Sequence, residues 1–77
     1  MLKDLVGRRI KELRIITKDY SQAELADLIG CDRAYLSRVE SGKQNVTIEN
    51  LNQICNALGV SLKKFFEPFD TEIKESE

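Results

Sequence analysis

The 77-residue chain is long enough for one small domain, and its hydrophobic content of 42% suffices for a compact core. The formal charge is −1, but residues 1–66 carry 11 basic and 8 acidic side chains, whereas residues 67–77 carry one basic and five acidic. No apolar run exceeds three residues, so we expect neither a membrane protein nor a secreted precursor, and we expect a cytoplasmic location.

The first predicted helix spans residues 2–17. Apolar residues recur in it at helical spacing, and we expect five of them to face the core: Leu5, Val6, Ile10, Leu13 and Ile16. Gly7 lies inside this helix, where glycine costs about 1 kcal/mol relative to alanine. Close packing of this position against another helix would explain the glycine.

The next two predicted helices, 22–29 and 33–41, are joined by a very short turn. Ser21 is suited to cap the first of them, and Glu24 completes a capping box. Gly30 stands where this helix ends and is suited to the positive φ that the turn requires. So brief a connection forces the two helices to cross at a steep angle, which predicts a helix-turn-helix motif.

The outer face of the third predicted helix has residue types that suit contact with DNA bases. On a helical wheel, Leu36 and Val39 define the buried side of this helix. Four residues on its other side or flanks are candidate base contacts: Arg33, Ala34, Ser37 and Arg38. Arginine suits a bidentate contact with guanine, serine reaches either base type, and alanine suits the thymine methyl group. The alternative interpretation is the solvated side of an ordinary surface helix.

Two further helices are predicted at 48–58 and 62–66, where Thr47 and Ser61 repeat the capping pattern. The sequence therefore predicts an all-α, five-helix domain over 1–66, followed by an acidic tail over 67–77 whose order the sequence leaves open. All five helices contribute to the predicted core: Ile10, Leu13, Leu25, Ala26, Ile29, Leu36, Val39, Ile48, Leu51, Ile54, Leu58, Leu62 and Phe65.

The residue patterns typical of metal and catalytic sites are missing from the sequence. Cys31 and Cys55 lie 24 positions apart, and the chain contains no histidine. Two thiols alone do not form a zinc site, so buried free thiols are expected. Neither a phosphate-binding glycine loop nor a paired-carboxylate arrangement occurs. We expect no enzymatic activity, no metal, no cofactor and no small-molecule ligand.

Over residues 9–66 the chain resembles the Cro/CI-type helix-turn-helix domain of phage repressors and many bacterial regulators. The resemblance rests on IKELR at 10–14, SQAELA at 21–26 and LSRVESGK at 36–43. Residues 32–37 and 45–51 are most similar to the controller proteins of restriction–modification systems. The resemblance implies a phage-repressor-like bundle and a transcriptional regulator that binds a pseudo-palindromic double-stranded DNA operator as a homodimer.

The same resemblance implies roles for individual residues. It assigns DNA phosphate contacts to five of them: Gln22, Tyr35, Lys43, Gln44 and Asn45. It assigns a pair that holds the third helix in orientation to Arg14 and Glu40, and a dimer interface to the carboxyl-terminal apolar residues: Leu62, Phe65, Phe66 and Phe69. The alternatives are partial core packing for the tyrosine, two unrelated surface charges for the pair, and a monomer.

Two other functions are consistent with the sequence. The first is an antitoxin-like module whose main partner is a protein and which contacts DNA secondarily. Its partner surface would be the phenylalanine-rich end and the acidic tail. The second is a small adaptor that binds no nucleic acid.

Overall fold

The computed structural model describes residues 2–69, and these residues form helices at all five predicted places. The α-helices are α1 Leu2–Leu13, α2 Gln22–Ile29, α3 Arg33–Glu40, α4 Ile48–Leu58 and α5 Leu62–Phe66, followed by a 3-10 turn, Glu67–Phe69. Residues 2–69 contain no β-strand. The predicted all-α, five-helix fold is therefore confirmed. None of the helices in this range is both long and apolar enough to cross a membrane.

Side-chain caps set the starts of α2 to α5. The Ser21 hydroxyl accepts a hydrogen bond from the Glu24 N–H, and the Glu24 carboxylate accepts one from the Ser21 N–H, which completes the predicted capping box. The other three helices begin at side-chain caps as well: α3 at Asp32, and α4 and α5 at the predicted Thr47 and Ser61. Each cap side chain accepts a hydrogen bond from a backbone N–H that has no partner inside its helix. The acceptor and the donor are three residues apart, so the start of each of these helices is set by a short segment of the sequence.

The end of the first helix differs from the prediction. α1 ends at Leu13 and continues as a single π-helical turn, Arg14–Lys18. The wider i→i+5 turn changes the angular position of the residues in it. Ile16, the third residue of this turn, is 72% exposed, whereas Arg14, its first residue, is buried. The prediction that Ile16 faces the core is wrong because it assumed a continuous α-helical period.

The core is formed by the buried faces of all five α-helices and includes most of the predicted residues. Two predicted core residues are exposed: Ile48 is 79% exposed and Leu62 is 42% exposed. Each is the first residue of its helix, and the buried face begins one turn later, at Leu51 and Phe65. The helical spacing correctly predicted which face of each helix is buried. At the first residue of α4 and of α5, however, no neighbouring element covers that face.

α1 packs closely against the carboxyl-terminal end of α3. A Cβ atom added to Gly7 would overlap the carbonyl oxygen of Val39 and would lie 2.9 Å from the carbonyl oxygen of Glu40. Since both neighbours are backbone atoms, the contact cannot be relieved by a side-chain rotation. The close helix packing predicted from Gly7 is therefore confirmed.

Three phenylalanine rings form a cluster after α5. The ring centroids of Phe65 and Phe66 are 5.0 Å apart, and the Phe69 centroid lies 6.2 and 5.8 Å from them, all with edge-to-face geometry. Phe65 and Phe69 are buried. The packed fold thus extends through Phe69, three residues beyond the predicted boundary. The rest of the predicted acidic tail lies outside the described residues.

An arginine of α1 holds the end of α5. Arg9 donates hydrogen bonds to the carbonyl oxygens of Lys64, at 3.0 Å, and Phe65, at 2.9 Å, and also contacts the Glu12 carboxylate at 2.6 Å. Carbonyl groups at the end of a helix have no partner inside that helix, so a cation placed there is favourable. The contact joins the amino-terminal helix to the carboxyl-terminal one.

Both cysteines are free thiols, but they differ in burial. Cys55 is buried in the core, as predicted, whereas Cys31 in the turn between α2 and α3 is only half-buried. Burial raises the pKa of both thiols, and the nearby Asp32 carboxylate raises the pKa of Cys31 further. Both therefore remain protonated and weakly nucleophilic at neutral pH.

Candidate nucleic-acid interface

The turn between α2 and α3 consists of three residues, 30–32. Gly30 has a φ of 74°, and its N–H donates to the carbonyl oxygen of Asp27. The Cys31 N–H donates to the carbonyl oxygen of Ala26, and Asp32 then caps α3. Both helices bury apolar residues in the common core, which fixes their mutual orientation. This is the predicted helix-turn-helix arrangement.

The four candidate base-contacting residues lie together on the outer side of α3. We call this surface the reading face; it consists of Arg33, Ala34, Ser37 and Arg38. The two arginines and the alanine are exposed, and the serine is half-buried. On the opposite side of the helix, Leu36 and Val39 are at most 1% exposed. Leu36 and Val39 pack α3 against the core, and the reading face remains accessible to solvent.

The chain after α3 folds back against the reading face. The Gly42 N–H donates to the carbonyl oxygen of Val39 at 3.1 Å, and the Lys43 N–H donates to that of Arg38 at 2.9 Å. These two bonds form a Schellman motif, which requires the positive φ of 79° found at Gly42. The motif brings Gln44 next to Arg38, whose Nε donates to Gln44 Oε1 at 2.6 Å.

The five candidate phosphate contacts fall into two groups. Lys43 and Asn45 are exposed side chains of the loop after α3. The other three are half-buried and already engaged in hydrogen bonds within the chain: Gln22, Tyr35 and Gln44. The Tyr35 hydroxyl accepts a bond from Asn50 Nδ2 at 3.0 Å, so α4 holds the tyrosine in place.

Arg14 and Glu40, the last residue of α3, form an ion pair on the buried side of this helix. The guanidinium donates from Nε to Glu40 Oε2 at 2.8 Å and from Nη2 to Oε1 at 2.9 Å, and both residues are buried. The third donor, Nη1, reaches the carbonyl oxygen of Tyr20 at 2.7 Å, and Gln22 Nε2 donates to Glu40 Oε1 at 3.0 Å. We call this set the orientation network.

The orientation network satisfies a charge pair that would otherwise be costly to bury. A bidentate arginine–carboxylate contact with additional hydrogen bonds offsets the loss of hydration. The hydrogen bond to Glu40 raises the pKa of the Arg14 guanidinium above its ordinary value, so this side chain stays charged. The network connects the segment after α1, the start of α2 and the end of α3.

Two site residues had no recognisable signal in the sequence. Asn50 holds Tyr35 from α4, and Tyr20 contributes only its backbone carbonyl to Arg14. Asparagine on an amphipathic helix and a backbone carbonyl have no distinctive pattern, so no local rule could have found them. Among residues 2–69, no group of three His, Cys, Asp or Glu side chains could hold a metal ion.

Residues 10–65 match the helix-turn-helix family. Control protein C.MunI from Mycoplasma sp is 38% identical over 71 residues, which cover 92% of this chain and 96% of that protein. A mutant of the restriction–modification controller protein C.Esp1396I has a similar crystal structure, with a TM-score of 0.82 and 38% identity over 94% of this chain and 95% of that one. The crystal structure of the restriction–modification controller protein C.AhdI from Aeromonas hydrophila has a TM-score of 0.77 and 38% identity, and the match covers 83% of this chain and 91% of that one.

Proposed function

The chain belongs to the helix-turn-helix family and is a DNA-binding transcriptional regulator, and from this premise we propose that it acts as a homodimer on a pseudo-palindromic operator. We further propose that it serves as a restriction–modification controller, because three proteins of that description align over most of its length. Sequence-specific binding to the operator is supported by the reading face, an exposed side of α3 that combines two arginines with two short side chains, and the homodimer is supported by the exposed Leu62 of α5.

The layout of the reading face suits a DNA major groove. At 100° per residue, Ser37 and Ala34 lie between the two arginines, which are about 140° apart around the axis and about 7.5 Å apart along it. An α-helix with its side chains is about 10–12 Å across, which fits a major groove about 12 Å wide. The short side chains in the middle allow close approach, and the arginines reach bases on either side.

Phosphate contacts would set the register of α3 in the groove. The exposed Lys43 and Asn45 suit this role directly, since a cation and an amide both donate to phosphate oxygens. The Tyr35 hydroxyl accepts its bond from Asn50, which leaves its own hydrogen free to be donated. Gln22 uses one of its two amide hydrogens on Glu40 and retains the other, beside the N–H groups at the start of α2.

The dimer interface that we propose centres on Leu62 and Phe66. Leu62 is 42% exposed, and Phe66 is half-buried. The other two predicted interface residues, Phe65 and Phe69, are buried within their own chain, so they pack behind Leu62 and Phe66 and do not offer a free surface themselves. A second copy would cover the apolar surface that α5 leaves exposed.

Selection of binding sites from random duplexes with the full chain tests the proposal. We expect a symmetric consensus whose half-sites are centred about 34 Å apart, one helical turn. Light scattering should give the mass of a dimer that Leu62→Glu converts to a monomer. A wild-type protein that enriches no sequence would contradict the proposed function.

A matched pair of variants tests whether the reading face itself is responsible. Ala34→Glu places a negative charge in the middle of this surface and should abolish enrichment, because the carboxylate would face base edges and phosphates. Asn56→Glu adds the same charge at an exposed position of α4 and should leave the consensus unchanged. Equal effects of the two variants would assign DNA binding to another surface.

A further inference from the structure

We propose that Gln44 is a positioning residue for Arg38 and that it thereby makes Arg38 the residue that specifies one guanine in each half-site. The inference rests on the proposed function and adds to it. It also changes the role of Gln44, which the sequence resemblance assigned to a phosphate contact. The observation that supports this inference is the hydrogen bond of 2.6 Å that Arg38 Nε donates to Gln44 Oε1.

The backbone makes this contact a property of the fold. The Schellman motif closes the end of α3 and leads the chain back along the last turn of the helix. Gly42 packs against α1, because a Cβ added to it would overlap the Asp4 carboxylate and would lie 3.3 Å from the Asp4 Cα, and its positive φ disfavours other residues at this position. Gln44 therefore starts from a fixed place beside Arg38, and its side chain is half-buried there.

The hydrogen bond leaves the guanidinium with one remaining way to read a base. Arginine contacts guanine with two parallel N–H groups, taken either from Nε and Nη2 or from Nη1 and Nη2. Because Nε is bound to Gln44, the end-on pair, Nη1 and Nη2, remains for guanine O6 and N7. Holding the guanidinium plane before binding reduces the conformational entropy lost in the complex.

The two arginines of the reading face are therefore not equivalent. Within residues 2–69, the Arg33 guanidinium has no hydrogen bond or ion pair, whereas that of Arg38 is held by Gln44. An unrestrained arginine can turn to a phosphate or to several bases at similar cost. We expect Arg38 to give the stronger base preference, and Arg33 to contribute a weaker or more adaptable contact.

The test compares selected consensus sequences, a readout that a general loss of affinity does not change. Site selection is run with the wild-type chain and with Arg38→Ala, Gln44→Ala and Gln44→Glu. Gln53→Ala serves as the control, since it removes an exposed glutamine from α4. Thermal unfolding of each variant shows whether the fold is retained, as expected because none of the three positions belongs to the buried core.

We expect Arg38→Ala to lose a guanine preference at one symmetric pair of positions, by a factor of roughly 5 to 150. Gln44→Ala should weaken the preference at those same positions by several-fold, and Gln44→Glu should restore it, because a carboxylate accepts from Nε in the same way. Replacing that guanine by 7-deazaguanine should weaken binding of the wild type but have no effect on Arg38→Ala.

The outcomes distinguish this inference from the proposed function. Suppose that the wild type selects a symmetric consensus, and that Gln44→Ala lowers the affinity but selects the same consensus. Gln44 then contacts phosphate only, and the inference is wrong. If Gln44→Ala changes positions that Arg38→Ala leaves alone, Gln44 acts on the DNA independently, and the inference is also wrong. If the wild type selects no consensus, the proposed function fails and this inference with it.

Discussion

The two sides of α3 use arginine in opposite ways. On the inner side, Arg14 is 7% exposed and gives all its hydrogen bonds to Glu40 and the Tyr20 carbonyl. On the outer side, Arg38 is exposed, and the fold holds it by one bond, to Gln44. The inner arginine has no donor nitrogen left for a ligand. The outer one is held at Nε and keeps both terminal nitrogens.

The difference shows how burial determines what a hydrogen-bonded arginine contributes. A buried guanidinium must have all its charge and donors compensated within the protein, so its removal affects stability. An exposed guanidinium is hydrated in the free protein, so its removal affects stability little and binding more. The inner side of α3 should therefore respond to mutation through folding, and the outer side through DNA recognition.

The largest expected effect comes from breaking the orientation network. Glu40→Ala should lower the free energy of unfolding by about 3–5 kcal/mol, because Arg14 is then a buried charge without its partner. Urea denaturation measures the change. The double variant Arg14→Met/Glu40→Leu should regain at least half of the loss, since it removes both charges. Equal destabilisation of the single and double variants would mean that the buried charge is not the cause.

The contact of α1 with α3 should give the next largest effect. Gly7→Ala forces a methyl group against the carbonyl oxygens of Val39 and Glu40, and we expect a loss of about 1–3 kcal/mol despite the better helix propensity of alanine. Lys11→Ala, at an exposed position of the same helix, is the control and should change stability by less than about 0.5 kcal/mol. A stabilised Gly7→Ala variant would refute the close packing.

On the outer side, Arg38→Ala should separate binding from stability. Operator affinity should fall by about 1–3 kcal/mol, with a smaller loss on random DNA, because a base contact is lost. The urea midpoint should stay close to that of the wild type, since the side chain is exposed. Fluorescence anisotropy on the two duplexes measures the comparison. An equal loss on both would show that Arg38 touches only phosphate.

Lys43→Ala should give the smallest effect and the least sequence dependence. Loss of one phosphate contact should weaken all duplexes alike and reduce the slope of log K against log salt concentration by about one. Affinity titrations between about 50 and 200 mM salt measure this slope. Lys63→Ala, which removes an exposed lysine of α5, serves as a control and should leave the slope unchanged. An unchanged slope for Lys43→Ala would remove this residue from the phosphate contacts.

The sequence predicted the helices well because their starts depend on neighbours in the chain. Each cap bond of α2 to α5 joins residues three positions apart, so a short motif contains both partners. The exposed side of α3 was predictable for a similar reason, since Leu36 and Val39 lie within the same helix as the reading face. Ile16, Ile48 and Leu62 were misassigned because their burial depends on which element covers them.

The sequence by itself thus determined the starts of α2 to α5, the helix-turn-helix connection and the outward position of Arg33 and Arg38. Only the tertiary structure decided which partners the polar side chains around α3 have. Gln22 is bound to Glu40 across 18 residues, Asn50 to Tyr35 across 15, and Gln44 to Arg38 through a folded-back loop. The physical reason is distance: a cap or a helix face is set within one or two turns, whereas the bonds of Gln22 and Asn50 join different helices and form only after those helices have packed, and the bond of Gln44 forms only after the chain has turned back behind α3.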